Sequence, residues 1–305
     1  MIDMHGAIVA PSAWRLEIEP FQRTRRGAAT GCAYHGEVPR SPRVCLSTSS
    51  VYPEPTLRAF DLARELGYDG VEVMVGMDAA SADLASLERA RDYYEMPVTS
   101  VHAPCLLLTQ RTWGTDPWDK LDRSAEAALR LGADVVVVHP PFRWQRSYAA
   151  GFTEGIRRLK ETTGLVFAVE NMYPWRGPAG TEVRAYAPTW DPGELDVDHL
   201  TLDLSHAATA RQSSLGLIHA WGERLAHLHL TDGTSQAADE HLLPGEGEQQ
   251  ADLVLQALAA RRFTGQVVVE VKTNSAGTSA ERGRQLADVL AFARTNLRVP
   301  ADTTA

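Results

Sequence analysis

The 305-residue chain has few cysteines, no long apolar run and no basic tract, and each shortage removes a class of protein. Three cysteines, Cys32, Cys45 and Cys105, are odd in number and too few for a disulfide framework, which favours a reducing, cytoplasmic setting. No stretch approaches the roughly 18 consecutive apolar residues of a spanning helix, so no membrane partner is expected. The opening MIDMHGAIVAPSAW carries an acid at Asp3 and lacks a basic region ahead of an apolar run, so it does not read as a signal peptide. Lys and Arg total 30 against 39 Asp and Glu, a net charge of −9, which gives no support to bulk nucleic-acid binding. With 23% charged and 44% hydrophobic residues, disorder throughout and a fibrous repeat are both excluded.

What is present is regular from Val44 onward. Short runs rich in β-branched residues alternate with amphipathic stretches. The runs are Val44–Ser47, Val71–Val75, Val98–His102, Val135–His139, Leu165–Glu170, Leu200–Asp203, Ala226–Leu230 and Val267–Val271. Between them lie helical patterns such as TLRAFDLARELG, with Leu57, Phe60, Ala63 and Leu66 on one face and Gly67 as the stop. Others are LDRSAEAALRLG, GFTEGIRRLKETTG and ERGRQLADVLAFARTNL. Eight strand-like runs, each followed by a helix-like one, predict an α/β fold, a (β/α)₈ barrel over residues 43–297. The runner-up, an open doubly wound sheet, lacks its glycine-rich phosphate loop: CLSTSSVYP after the first strand has no glycine. Residues 1–42, with Arg23, Arg25 and Arg26 and no periodicity, read as a poorly ordered extension, and 298–305 as a tail. Three connections are long, 103–117, 171–190 and 231–249, and long loops in a compact domain point to a site.

The strands end in chemistry. His102, His139, Glu170 and Asp203 close the third to sixth runs, with His206 three residues beyond. His229 lies on the seventh, Asp239 and His241 in its loop, and Glu270 near the end of the eighth. In a parallel barrel all these ends open on one face, so nine imidazoles and carboxylates would share one rim. Carboxylates so crowded repel, and a divalent cation with mixed N/O ligands is the economical remedy; these ligand types suit Zn, Mn or a similar ion. Singly, each has a plainer reading. Asp203 could be a helix N-cap, Glu170 could pair with Arg176, and Glu270 with Lys272. His227, two residues before His229, reads as a deeper core histidine, and His5, His35, His199 and His219 as surface residues. Glu72 and Asn171 are further candidates, for substrate hydroxyls and for support of the ligands, although Glu72 could equally pair with an arginine. Arg143, Arg146 and Lys272 could hold a phosphate. Trp144, Tyr148, Tyr173, Trp175 and Arg176 add aromatic rings and charge to the same loops.

The motifs SVHAP, VVVHPP, VEN, DLSH, HLHLTD, DEHLLPGEG and VEV, in that order over roughly 44–295, resemble the xylose isomerase-like barrel superfamily. That superfamily holds sugar isomerases and epimerases and also zinc-dependent abasic-site endonucleases. The resemblance is nearest to proteins labelled sugar phosphate isomerase/epimerase without an assigned substrate. In the isomerase branch it implies one metal on Glu170, Asp203, His229 and Glu270, with the two glutamates exchanging protons with a sugar through a metal-bound enediolate and His206 touching substrate. In the endonuclease branch it implies three zinc ions on His102, His139, Glu170, Asp203, His206, His229, Asp239, His241 and Glu270. The D-x-H spacing of Asp239 and His241 belongs to the second pattern, whereas the loop after the third strand, Ala103, Pro104, Cys105 and then Leu106–Leu108, lacks the aromatic expected of a DNA wedge at its start. The leading expectation is a cytoplasmic, metal-dependent sugar or sugar-phosphate isomerase or epimerase with one to three ions. The alternative is a metal-dependent phosphoesterase acting on nucleic acid. A non-catalytic binding barrel is disfavoured by the complete ligand set.

Overall fold

The structure is a computed structural model, and it describes residues 42–298 apart from 77, 105–108, 110 and 177–180. The expected N-terminal extension apart from Pro42, all but the first residue of the tail, and the Leu106–Leu108 wedge therefore lie outside the described residues.

Eight parallel strands close into a barrel in the order β1-β10-β9-β8-β5-β4-β3-β2. They are β1 (Arg43–Ser47), β2 (Val71–Met74), β3 (Val98–His102), β4 (Val135–Val138), β5 (Val166–Glu170), β8 (His199–Asp203), β9 (Leu225–Leu230) and β10 (Gln266–Val269), with β6 (Trp175–Arg176) and β7 (Glu182–Val183) forming a separate antiparallel pair. Closure comes from β1, which pairs with β10 at Val44↔Val267 and with β2 at Leu46↔Val71. The helices are α1 (Arg58–Leu66), α2 (Leu84–Tyr93), α3 (Pro117–Leu131), α4 (Arg146–Thr163), α5 (Leu204–Thr209), α6 (Ser214–Trp221), α7 (Ala251–Ala260) and α8 (Ser279–Asn296).

Local chemistry sets these boundaries. Gly67 and Gly132 end α1 and α3 in the left-handed region, at φ 84° and 77°, where a side chain would be strained. Asp116 caps α3 by accepting from the amides of Trp118 and Asp119, and Pro117 fits the first turn because its missing N–H would lack a helical partner. α1 turns Ala59, Phe60, Leu62 and Ala63 onto the barrel. Side chains such as Val136, Val138, Val169, Leu202, Leu228 and Val267 meet the helices in one continuous apolar layer. Full burial of each such side chain is worth about 1.5–3 kcal/mol.

One expectation changes. No α-helix follows β5 among the described residues; the chain passes through β6–β7 and a 3₁₀ turn, Pro192–Glu194, before β8. Pro174, Pro188 and Pro192 each remove an amide donor that a helix there would need. The complement of eight is restored after β8, which is followed by both α5 and α6.

Candidate metal centre

Strand alternation carries polar residues inward at the C-terminal half of the barrel. On β3 these are Ser100 and His102, on β8 Thr201 and Asp203, and on β9 His227 and His229, all buried. His139 and Glu270 lie one residue beyond β4 and β10. His206 sits in the first turn of α5, whose N-cap is Asp203: its Oδ1 accepts from the His206 amide at 2.7 Å. Thus Asp203 caps the helix with one oxygen and keeps Oδ2 buried without a hydrogen bond.

Glu170 is the hub. Its Oε2 lies 3.2 Å from His102 Nε2 and 2.9 Å from His139 Nε2, and its Oε1 lies 2.9 Å from His229 Nδ1. The same Nδ1 is 3.1 Å from Glu270 Oε2 and 3.6 Å from Asp203 Oδ2. A second group adjoins it: Asp239 Oδ2 is 3.0 Å from His241 Nε2 and 3.5 Å from His206 Nε2. With His206 Nδ1 3.4 Å from Glu170 Oε1, all nine residues meet in one connected cluster.

Support comes from beneath and beside. Asn171 locks the end of β8, donating to the Asp203 carbonyl at 3.0 Å and accepting from the Asp203 amide at 2.7 Å. Its own carbonyl faces His206 Nδ1 at 2.8 Å, and the Glu270 carbonyl faces His241 Nδ1 at 2.9 Å. Ser205 donates to Asp239 Oδ1 at 2.7 Å and accepts from the amides of Glu240 and His241. Sequence reasoning passed over Ser205, because a serine between two site residues has no signature of its own.

Burial and charge pull these groups apart. Burial raises Glu170, yet His229 and the hydrogen bonds from His102 and His139 prevail and hold it well below the usual carboxylate range. At Glu270 burial wins over His229, His241 and His102, and the group is raised. Asp239, despite burial, is held well below its usual value by His241 and His206. For His229 burial is outweighed by Glu270, Glu72 and Glu170, and for His206 by Asp203 and Asp239, so both lie well above the ordinary imidazole value. His241 is pushed up to about 9, Asp239 and Asp203 overcoming its burial. In His139 burial prevails and the ring is lowered.

The residues present fit a divalent cation. Asp203 Oδ2, Glu270 Oε2 and His139 Nδ1 are buried polar atoms without hydrogen bonds, an arrangement that is costly unless another charge completes it. Three trios of ligand atoms each lie within 4.8 Å of one another: His102–Glu170–His229, Asp203–His229–Glu270 and Asp203–His206–His241. The mixed imidazole and carboxylate donors suit Zn or Mn.

Above the cluster opens a cavity of about 810 Å³, whose walls include Tyr52, Glu54, Asp78, Tyr173 and Asn274. Among the described residues lining it, Lys272 is the sole Lys or Arg, and its Nζ donates to the Asp239 carbonyl. Arg143 and Arg146 are exposed and do not line this cavity. Glu72 does not line it either; it lies fully enclosed below, beside His227 and His229 rather than beside an arginine. Arg176 serves the carbonyls of Ser235, Gln236 and Thr209 instead of Glu170.

Residues 60–295 match the xylose isomerase-like TIM barrel family. The chain belongs to that family. It is 48% identical over 273 residues to an uncharacterized protein of Mycobacterium tuberculosis, covering 84% of this chain and 98% of that protein. It is 22% identical over 244 residues to fructoselysine 3-epimerase of Escherichia coli O157:H7, covering 72% and 86%. Among solved structures, a D-tagatose 3-epimerase-like protein superposes with a TM-score of 0.59 at 21% identity, covering 84% of this chain and all of that one, a likeness of fold. A distant relative of this chain is thus named as a 3-epimerase.

Proposed function

We propose that the chain is a divalent-metal-dependent isomerase or epimerase of a sugar. The observation that carries this reading is the meeting of Glu170, Glu270 and Asp203 around His229 Nδ1, with Glu170 and Glu270 lining the cavity above. Glu170, Asp203, His229 and Glu270 would hold the ion. Bound there, it would acidify the carbon between a carbonyl and a hydroxyl oxygen. One of Glu170 and Glu270, which flank His229 Nδ1, would remove that carbon's proton, and the other would return one to the same or the neighbouring carbon. His206, turned toward Asp239, stands where a substrate hydroxyl would donate or accept. A lining with one lysine and the carboxylates of Glu54, Asp78 and Asp239 supports an uncharged polyol over a phosphate ester, which calls for paired cations. No helix among the described residues is long and apolar enough to cross a membrane.

The test is incubation of Mn- or Zn-loaded protein in D₂O with a panel of ketoses and ketose phosphates. Carbon-bound deuterium in an unphosphorylated sugar is expected. A panel that returns unlabelled throughout contradicts the reading.

A second reading, a phosphoesterase with three ions, draws on a specific observation: His102 and His139 flank Glu170 on one side while His206, Asp239 and His241 form their own group. Cleavage of an oligonucleotide bearing an abasic site by zinc-loaded protein would favour it. Full activity with a single bound ion would end it.

A further inference from the structure

Below the ligand cluster lies a polar layer that the chemistry above does not use. Glu72 on β2 and His227 on β9 are both fully enclosed. Glu72 Oε2 accepts from Ser100 Oγ at 2.8 Å and lies 3.0 Å from His227 Nε2. Its Oε1 lies 3.2 Å from His229 Nε2, and in this geometry neither atom has a hydrogen-bond partner. His229 thus has a carboxylate at each pole. Nδ1 faces Glu170, Asp203 and Glu270, and Nε2 faces Glu72 alone among these acids.

A neutral imidazole carries one proton, and a ring that ligates a cation must offer its lone pair. If Nδ1 is the ligating atom, the proton belongs on Nε2, where Glu72 is placed to accept it. We infer that Glu72 is a positioning residue of the metal centre: it takes the Nε2–H of His229, fixes that ring with Nδ1 toward the cavity, and is itself aimed by Ser100 and His227. This rests on the metal-dependent reading above. A carboxylate behind a ligating imidazole holds its tautomer and raises its basicity, and loss of such a partner weakens metal affinity about 10- to 100-fold. Burying a carboxylate this deeply is costly, so a chain needing only packing there would do better with a Met or Leu.

The competing arrangement is a cation lodged among Glu72, His227 and His229, whose ligand atoms also lie within 4.8 Å of one another. It would take the Nε2 lone pair of His229 for itself. Ser100 already occupies Glu72 Oε2, and neither Glu72 nor His227 lines the cavity, whereas Glu170 and Glu270 of the cluster above do.

Competition of Mn²⁺ and Zn²⁺ against a chelator separates the cases. Glu72→Gln, close in shape but uncharged, is expected to raise the metal Kd about 10- to 100-fold in protein that remains folded by circular dichroism. Ser100→Ala, which touches Glu72 but not His229, is expected to raise it less. Nitrogen-15 spectra of histidine-labelled, Zn-loaded parent protein supply a second readout independent of any variant: His229 is expected to carry its proton on Nε2. A Kd within twofold of the parent in Glu72→Gln, or a metal-bound Nε2 on His229, overturns the inference and leaves the proposed function standing. A parent protein that binds neither ion overturns both.

Discussion

His229 stands among four carboxylates, Glu72, Glu170, Asp203 and Glu270, and the pH behaviour of the metal-free protein follows from it and its neighbours. His229, His206 and His241 have folded pKa values above that of an unfolded imidazole, about 6.5. A raised value contributes stability that is complete below the unfolded pKa and is lost as pH rises through the folded one. Chelator-treated protein should therefore lose thermal stability from about pH 6.5 toward the value of about 9 at His241. Scanning calorimetry across that window checks it, and a midpoint that rises with pH would contradict the assignment. Because ligating imidazoles must be deprotonated, metal binding near pH 7 should release protons. Calorimetric titration in two buffers of different ionisation enthalpy reads that release directly. Two substitutions divide similarly: Glu270→Gln should retain folding and abolish exchange with solvent deuterium, whereas Asn171→Ala should cost about 10- to 100-fold in metal affinity by freeing the end of β8.

The regular elements were legible because their patterns are strong. Valine-rich runs such as VVVV at Val135–Val138 are buried on both faces, and the glycines at 67 and 132 stop their helices where a left-handed residue is required. The connection after β5 was not, since a two-residue pair such as β6–β7 has too few residues to show a period and depends on packing of Phe142, Tyr186 and Trp175. Packing also overrides propensity at Gly155 in α4. A methyl group there would overlap the Trp118 ring, so Gly155→Ala should destabilise by about 1–3 kcal/mol from overpacking even though alanine favours helix by about 1 kcal/mol. Urea denaturation of that variant measures the sum; an unchanged or higher midpoint would show that Trp118 moves aside freely.

At the scale of the molecule, nine residues between Val98 and Val271 come together because each lies at the end of a strand, or in the turn or loop that follows it, on one face of a closed barrel. That convergence could be read from the sequence, as chain position on a parallel strand fixes which face its end reaches. The exclusion of Arg143 and Arg146 from the cavity could not, for loop direction depends on tertiary contacts such as the Arg143 amide to the Ala185 carbonyl. Nor could the pairing of Glu72 with His227, which needs the register of β2, β3 and β9 across the barrel. A cation bound only by the native cluster stabilises the fold by mass action, so added Mn²⁺ or Zn²⁺ should raise the melting temperature in proportion to the logarithm of its concentration. The most direct test of the whole account is elemental analysis of the purified protein alongside Glu170→Ala. At least one Zn or Mn per chain in the parent, lost in the variant, is the predicted result. A parent that carries neither, and takes up neither when they are supplied, contradicts it.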